Sequence, residues 1–305
     1  MPKAVYFLML PNVLLLDVSG PAEVLRLAGQ FQLHYVSPLP QVTCSIGMTI
    51  GQLAPLPQRW NEGDILVIPG VADSSHYFAT EEAALARNWL QTLRPALAQR
   101  QIDLVCVCSG ALLAAQAGLL DGYHCTTHHA VIERLRQQAP AALVKENRIF
   151  VEDRGVFTSA GITAGIDLAL HLVNQYCGAD RALEIAREMV VYFRRSGDDP
   201  QLSPWLRYRN HLHPAVHRAQ DVMAAEPEAE WSVPQVAEKA HVSSRHLARL
   251  FRLHIGLSVR EYHEQLRLAV AQQRLQQGYG LEKAALTAGF SSGRQLRRAQ
   301  QRWQA

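Results

Sequence analysis

Two short runs, DILVIPG (Asp64–Gly70) and IDLVCVCS (Ile102–Ser109), are apolar at consecutive positions rather than at alternate ones. A strand with one wet face alternates; a strand covered on both faces does not. The stretch between them, EEAALARNWLQTLRPALAQR, is an amphipathic helical pattern. Strand, helix and strand in this order form a βαβ unit, which commits the chain to a parallel sheet layered with helices. AVYFLML (Ala4–Leu10) and FQLHYVS add two strands. GPAEVLRLAG (Gly20–Gly29) reads as a helix, with Pro21 near its start and Gly29 just past its end. IFVEDRGVFTSAG (Ile149–Gly161) reads as a hairpin, and AGIDLALHLVNQYCG (Ala164–Gly178) as a helix ended by Gly178.

The chain is long for one compact domain. At 305 residues, 48% hydrophobic and 19% charged, it can bury two cores and is not disordered. No run approaches the roughly 18 apolar residues of a membrane span. The apolar N-terminus is interrupted by Pro11 and Asn12 and lacks a small-residue cleavage site, so it reads as a buried strand rather than a signal peptide. Five cysteines without disulfide-like spacing suit a reducing cytoplasm. Charge is uneven. From Trp231 to Ala305 there are 12 Lys and Arg against 4 Asp and Glu, whereas the preceding residues hold 18 against 23. A basic quarter on a mildly acidic body points to a module that faces nucleic acid.

Chemistry in open α/β sheets sits at the carboxyl ends of the strands. Cys108 falls there, at a strand-to-helix turn followed by SGALLAAQAGLL. The turn has the form of a nucleophile elbow, and the helix N-terminus behind it is expected to favour a thiolate. Cys106, one pleat away, is expected to pack. On a strand the two cysteines would share one face at different depths. Cys106, Cys108, His124, Cys125, His128 and His129 supply enough zinc ligands, but C-x-C and HCTTHH lack the usual ligand spacing, so no metal is expected.

From about residue 211 the texture changes. RRSGDDPQLSPWLRYRNHLHPAV carries breakers and reads as a linker, and no strand-like run follows. Ser232 with Gln235, Ser258 with Glu261 and Ser292 with Gln295 have capping-box spacing and mark helix starts. AHVSSRHL is echoed by AGFSSGRQL 48 residues later, Ala240 matching Ala288, so a helix-turn-helix is duplicated. A helix over about Val259–Gln277 would join the copies. At 1.5 Å per residue it spans roughly 28 Å, near the ~34 Å between successive major grooves. The second helix of each pair is expected to touch double-stranded DNA through Ser244, Arg245, His246 and Arg249, and through Ser292, Arg294, Gln295 and Arg298.

CSGALLAAQAGLLDGYHCTTHH, VEDRGVFTSAGITAGIDLALHLV and LLLDVSGPAEVLRLAG together resemble the DJ-1/PfpI superfamily over about residues 3–180. That resemblance implies a flavodoxin-like three-layer sandwich, makes Cys108 the elbow cysteine, sets Asp17 opposite it and brings His128 near. Protease-type members carry His directly after the cysteine; here it is Ser109. VPQVAEKAHVSSRHLARLFRLHIGLSVREYHEQLRLAVAQQRL and AALTAGFSSGRQLRRAQQRW resemble the AraC/XylS family over about residues 216–303, with Leu296 and Ala299 where aromatics are usual. The pairing is similar to the GlxA-type transcriptional regulators. It implies a sensing and dimerisation domain over 1–180, a linker and connecting helix over 181–215, and an all-α DNA-binding domain over 216–305. Asp17, Cys108, Ser109 and His128 would line the pocket of a small-molecule effector. A homodimer, contact with RNA polymerase, a cytoplasmic location and no cofactor or membrane partner are expected. The rival readings are a cysteine-dependent hydratase or hydrolase with Cys108 as nucleophile, and a redox sensor in which an exposed, low-pKa Cys108 is oxidised.

Overall fold

The computed structural model describes residues 2–191, 195–198, 201, 207–209, 211–276 and 278–304. The chain divides into two units, Met1–Gln201 and Leu202–Ala305.

The first unit is built on a six-stranded sheet of β1 (Lys3–Leu8), β2 (Phe31–Val36), β5 (Asp64–Ile68), β6 (Ile102–Val107), β9 (Phe150–Asp153) and β10 (Val156–Ser159). The order is β2-β1-β5-β6-β10-β9; all neighbours are parallel except the β9–β10 hairpin. Counting only the parallel strands, this is the 2-1-3-4-5 order of the flavodoxin-like folds, with its switch point between β1 and β5. Two-stranded ribbons, β3–β4 (Val42–Thr43, Thr49–Ile50) and β7–β8 (His124–Cys125, Leu143–Val144), complete the strands.

Consecutive apolar residues on the central strands feed two separate cores. Leu66, Ile68, Leu104 and Cys106 face the helices α2 (Ser74–Tyr77), α3 (Glu81–Gln91), α4 (Arg94–Ala98), α5 (Gly110–Gln116) and α6 (Ile132–Gln138). Ile65, Val67, Val105, Val107 and Phe157 face α1 (Leu15–Ala28), α7 (Ala164–Cys177) and α8 (Ala179–Glu188). This makes three layers with two cores.

Three boundaries differ from the sequence expectation. Helix α1 begins at Leu15, not Gly20, so Pro21 lies inside it. Pro21 is tolerated because its ring fills the place where α1 and α7 approach: a Cβ on Gly165 would lie 3.1 Å from its Cγ. The single helix expected over 81–100 breaks between α3 and α4, just ahead of Pro95. The unit also runs past residue 180. Ala182, Ile185 and Ala186 of α8 are buried against α1 and α7, and Gln201 Nε2 donates to the Thr127 carbonyl at 2.7 Å. Of the expected linker, residues 192–194, 199–200, 202–206 and 210 lie outside the described residues.

The second unit is helical: α9 (Pro214–Ala225), α10 (Val233–Lys239), α11 (Ser244–Ile255), α12 (Val259–Gln276), α13 (Leu281–Thr287) and α14 (Gly293–Gln304). One core gathers Val216, Met223, Val236, Leu247, Phe251 and Tyr262; a smaller one gathers Ala285, Phe290, Leu296 and Ala299. Among the described residues no helix is long and apolar enough to cross a membrane.

Ile185 is fully buried in the α1–α7–α8 core. Ile185→Ala should therefore destabilise the first unit by about 2–5 kcal/mol in urea unfolding. A cost below ~1 kcal/mol would place α8 outside that core.

Candidate functional site

Asp17, in the first turn of α1, has no exposed surface. Its Oδ2 accepts from the Gly70 N–H (3.1 Å) at the end of β5, and its Oδ1 from the Ile162 N–H (2.6 Å) beyond β10. Its third partner is the Cys108 thiol, which donates to the carboxylate. Burial raises the Asp17 carboxyl to about 6, partly offset by these three donors. One carboxylate thus ties together the chain after β1, β5, β6 and β10.

The backbone is bent to allow this. Cys108 has φ 56° and the β-branched Ile162 φ 53°. Left-handed conformations in such residues cost free energy and persist only where the surroundings enforce them. Ile162 is enforced by its hydrogen bond to Asp17. Around Cys108 there is room only for glycine: a Cβ on Gly161 would lie 2.0 Å from the Cys108 Cβ, and one on Gly70 would lie 2.6 Å from Asp17 Oδ2. Ser109 faces the β5 end; its Oγ accepts from Val71 N (3.0 Å) and donates to Val71 O (3.2 Å).

The elbow geometry is present, but its electrostatics oppose the expectation from the helix N-terminus. Cys108 is 5% exposed, and burial together with the Asp17 carboxylate pushes its thiol far above the ordinary range. Two like charges in one dry site cannot both form, so the thiol keeps its proton. An exposed, low-pKa Cys108 is not what the fold makes. Nor do the two cysteines of C-x-C share a face. The left-handed turn sends Cys108 into the α1–α7 core while Cys106 stays in the opposite one. His128 caps the 3₁₀ turn His129–Val131, its Nδ1 accepting from Ala130 N, and its ring packs 4.2 Å from that of His129. The contact with Cys108 comes from its neighbour: Thr127 Oγ1 donates to the Cys108 carbonyl at 2.7 Å. Among the described residues no three His, Cys, Asp or Glu side chains gather to hold a metal.

The second unit presents the second helix of each helix-turn-helix, α11 and α14. Ser243, not Ser244, caps α11, its Oγ accepting from His246 N; Ser292 caps α14 in the same way through Gln295 N. The duplication therefore runs at 48 residues through the first helices and at 49 through the second ones. The second turn is one residue longer, and the equivalent of Ser244 is Gly293. Leu296 and Ala299 fill the inner positions of α14 that Leu247 and Leu250 fill in α11.

Arg245, Arg249, Arg294 and Arg298 are exposed on the outer faces. Ser244, His246 and Ser292 are half-buried, and the Gln295 carboxamide oxygen accepts from Ser291 N and Oγ. Arg297 and Gln301, exposed and on the same stripe as Arg294 and Arg298, were missed by the sequence reading. The signal was helical spacing: 294, 297, 298 and 301 share one face once the helix starts at Gly293. Their equivalents in α11 are Ala248 and Arg252, and Arg252 is committed to Gly256 O and Glu261.

The connecting helix α12 fixes α14 from one side. Its Glu264 accepts from Trp303 Nε1 (2.8 Å) and pairs with Arg302 (3.0 Å) of α14. It also holds the loop ahead of α10: His263 Nε2 donates to Pro227 O (2.8 Å), and Arg267 Nη2 to Ala229 O (2.7 Å). That loop in turn abuts the second helix-turn-helix, because a Cβ on Gly289 would lie 2.2 Å from Glu228 O. The two modules are therefore braced by a shared loop as well as by α12.

Residues 3–175 match the DJ-1/PfpI family, and residues 236–304 match a helix-turn-helix domain. The chain is 30% identical over 300 residues to the HTH-type transcriptional regulator GbdR of Pseudomonas aeruginosa, covering 95% of this chain and 79% of that one. It is 35% identical over 179 residues to the isonitrile hydratase of Pseudomonas putida, covering 58% and 73%. A ThiJ/PfpI family protein from Pseudomonas syringae has the same fold at a TM-score of 0.54 and 23% identity, over 79% of this chain and 89% of that one.

Two measurements check these sites. Iodoacetamide applied to the native protein at neutral pH should label the half-buried Cys177 before Cys108; the reverse order would mean that the elbow thiol is accessible and ionised. Burial and the nearby Arg267 lower the His263 pKa from 6.5 to about 4. Between those values the unfolded chain binds the proton and the native one does not, so stability falls as pH drops through that window. The midpoint of thermal unfolding of the second unit should fall accordingly. His263→Gln, which keeps an N–H toward Pro227, should flatten the slope; an unchanged slope would remove His263 as its source.

Proposed function

Because the chain belongs to the DJ-1/PfpI family and joins that domain to the DNA-binding half of an HTH-type transcriptional regulator, we propose that it is an effector-responsive regulator in which the first unit senses and the second reads. DNA binding and transcriptional regulation are carried by the family and domain matches. The observation that favours two readers is the pair of exposed stripes, Arg245 and Arg249 on α11 and Arg294, Arg297 and Arg298 on α14, on helices braced to one another. Guanidinium groups in this position read guanine or hold phosphate.

The α/β unit binds a small-molecule effector and pairs with a second copy of the chain. Support for pairing comes from Ile46 (65% exposed) and Met48 (56%) on the β3–β4 turn, apolar side chains that a second copy would cover. The regulator works in the cytoplasm and touches RNA polymerase from the DNA. The Cys108–Asp17 pair holds the strand ends together and does not turn over substrate. A protonated thiol without access is a poor nucleophile. The relationship to an isonitrile hydratase makes isonitriles the substrates on which to test the enzymatic reading.

Selection of the protein against random duplexes, followed by affinity measured against salt, tests this function. Two half-sites about one helical turn apart should emerge. Arg249→Ala and Arg298→Ala should each cost about 1–3 kcal/mol and relax preference in a different half-site. Arg297→Ala should reduce the salt slope by about one without changing the motif if it holds a phosphate. A motif with one half-site, indifferent to Arg298, would leave α11 as the sole reader. Turnover of isonitriles lost in Cys108→Ser would replace the regulator-only reading with an enzymatic one.

A further inference from the structure

Gln201 is the last residue of the first unit, and it is only 7% exposed. A glutamine is seldom buried unless its carboxamide is fully paired. Here both ends are paired with one loop: Nε2 donates to the Thr127 carbonyl (2.7 Å), and Oε1 accepts from the His129 N–H (2.9 Å). The side chain meets the loop much as a neighbouring strand would, with one donor and one acceptor. The loop is tied to the sheet on its other side, where the Thr126 N–H donates to Thr158 Oγ1 (2.8 Å).

A second anchor lies six residues earlier. The Arg195 N–H donates to Asp167 Oδ1 (3.0 Å), its Nε and Nη2 donate to Asp167 Oδ2 (2.9 and 2.6 Å), and Nη2 also reaches Thr163 Oγ1 (2.9 Å). Between the anchors, the Asp198 carbonyl accepts from Arg148 Nη1 (2.9 Å), and Gly197 passes so close to β9 that a Cβ there would lie 2.8 Å from Phe150 O.

Both anchors end one step from the cysteine elbow. Thr163, which Arg195 binds, directly follows Ile162, whose N–H Asp17 holds. Thr127, which Gln201 binds, has no exposed surface and donates its own hydroxyl to the Cys108 carbonyl (2.7 Å). The chain that leads into the second unit at Leu202 is therefore fastened to the two sides of one junction. These contacts are made or lost as sets. Withdrawing Gln201 leaves the Thr127 carbonyl and the His129 N–H without their partner, and withdrawing Arg195 leaves the Asp167 side chain, 4% exposed, without its counter-charge. A partial withdrawal satisfies neither set, so the outgoing chain has a seated state and a released state.

We propose that Gln201 and Arg195 form a latch that links the Asp17–Cys108 elbow to the chain entering the DNA-binding unit, and that release of this latch changes operator affinity. The inference rests on the reading of the first unit as a sensor. It names the element on which sensing acts: a ligand of that unit shifts operator affinity to the extent that it binds the seated and released states unequally.

The test uses the full-length protein and its selected operator. Gln201→Met keeps the size of the side chain and removes both hydrogen bonds. Thr127→Val keeps its shape and unties the loop from Cys108. Brief trypsin treatment reads the latch directly. Cleavage after Arg195 needs that side chain free of Asp167, and mass spectrometry identifies the product beginning at Ser196. Gln201→Met should raise the rate of that cleavage at least about fivefold, the loss of two hydrogen bonds, and should shift operator affinity at least about fivefold. Thr127→Val should shift both in the same direction, and the double variant should go no further than the stronger single one. Unchanged cleavage in Gln201→Met overturns the latch. Faster cleavage with unchanged operator affinity leaves Gln201 as a structural contact and overturns its coupling to DNA. Effects that multiply in the double variant overturn the link to the elbow. If no operator is selected, the regulator reading falls, and the cleavage rates of the three variants still decide whether the latch and its link to the elbow exist.

Discussion

A single buried carboxylate holds the first unit in the form it has. Asp17 accepts hydrogen bonds from the chain after β5, from the chain after β10 and from the thiol after β6. Four segments that leave the sheet in different directions are thereby drawn to one point. Removing a carboxylate from water is expensive, and only a full set of donors makes it tolerable. The donors are supplied at a local cost, because Cys108 and Ile162 must both take left-handed conformations. The arrangement that would be an active site in an accessible elbow is here closed, with its thiol protonated. The hydrogen bonds to Asp17 meet at the switch point of the sheet.

That junction passes directly into α7, and α7 carries Asp167, which holds Arg195 and the start of the outgoing chain. Hydrogen bonds thus join the sheet, α7 and the segment from Arg195. In the second unit a similar economy is seen. The connecting helix α12 supplies Glu264 to the second recognition helix and His263 and Arg267 to the loop ahead of the first module. One helix and one loop determine how two arginine-bearing helices stand to each other. Bracing of this kind limits the DNA spacings that the pair can satisfy.

Much of this was legible beforehand. Continuous apolar runs identified central parallel strands, because burial on both faces leaves no place for alternating polar residues. Capping boxes at Ser232 and Ser258 were legible because their hydrogen bonds close within four residues. The box at Ser292 was half right: Gln295 turns back to Ser291 instead, since the second turn is one residue longer. The start of α1 was misplaced because proline is common at a helix start, whereas here α7 packs against its ring. The domain edge was set too early because α8 is strongly amphipathic, and its apolar stripe does not say which core it joins.

The sequence by itself determined the class of each half, the order of strands and helices along the chain, the duplicated helix-turn-helix and the place of Cys108 at a strand-to-helix turn, while Asp17 entered only through the family resemblance. These follow from periodicity and from short-range hydrogen bonds, which are written in neighbouring residues. Only the tertiary structure decided the burial of Cys108 against Asp17, the side of the sheet on which it lies and the bracing of α14 by α12. Each of those depends on burial and on partners more than thirty residues apart, such as Asp17 with Ile162 and Glu264 with Trp303. Desolvation and long-range contact have no local signature in the chain, so they exist as constraints only once it has folded.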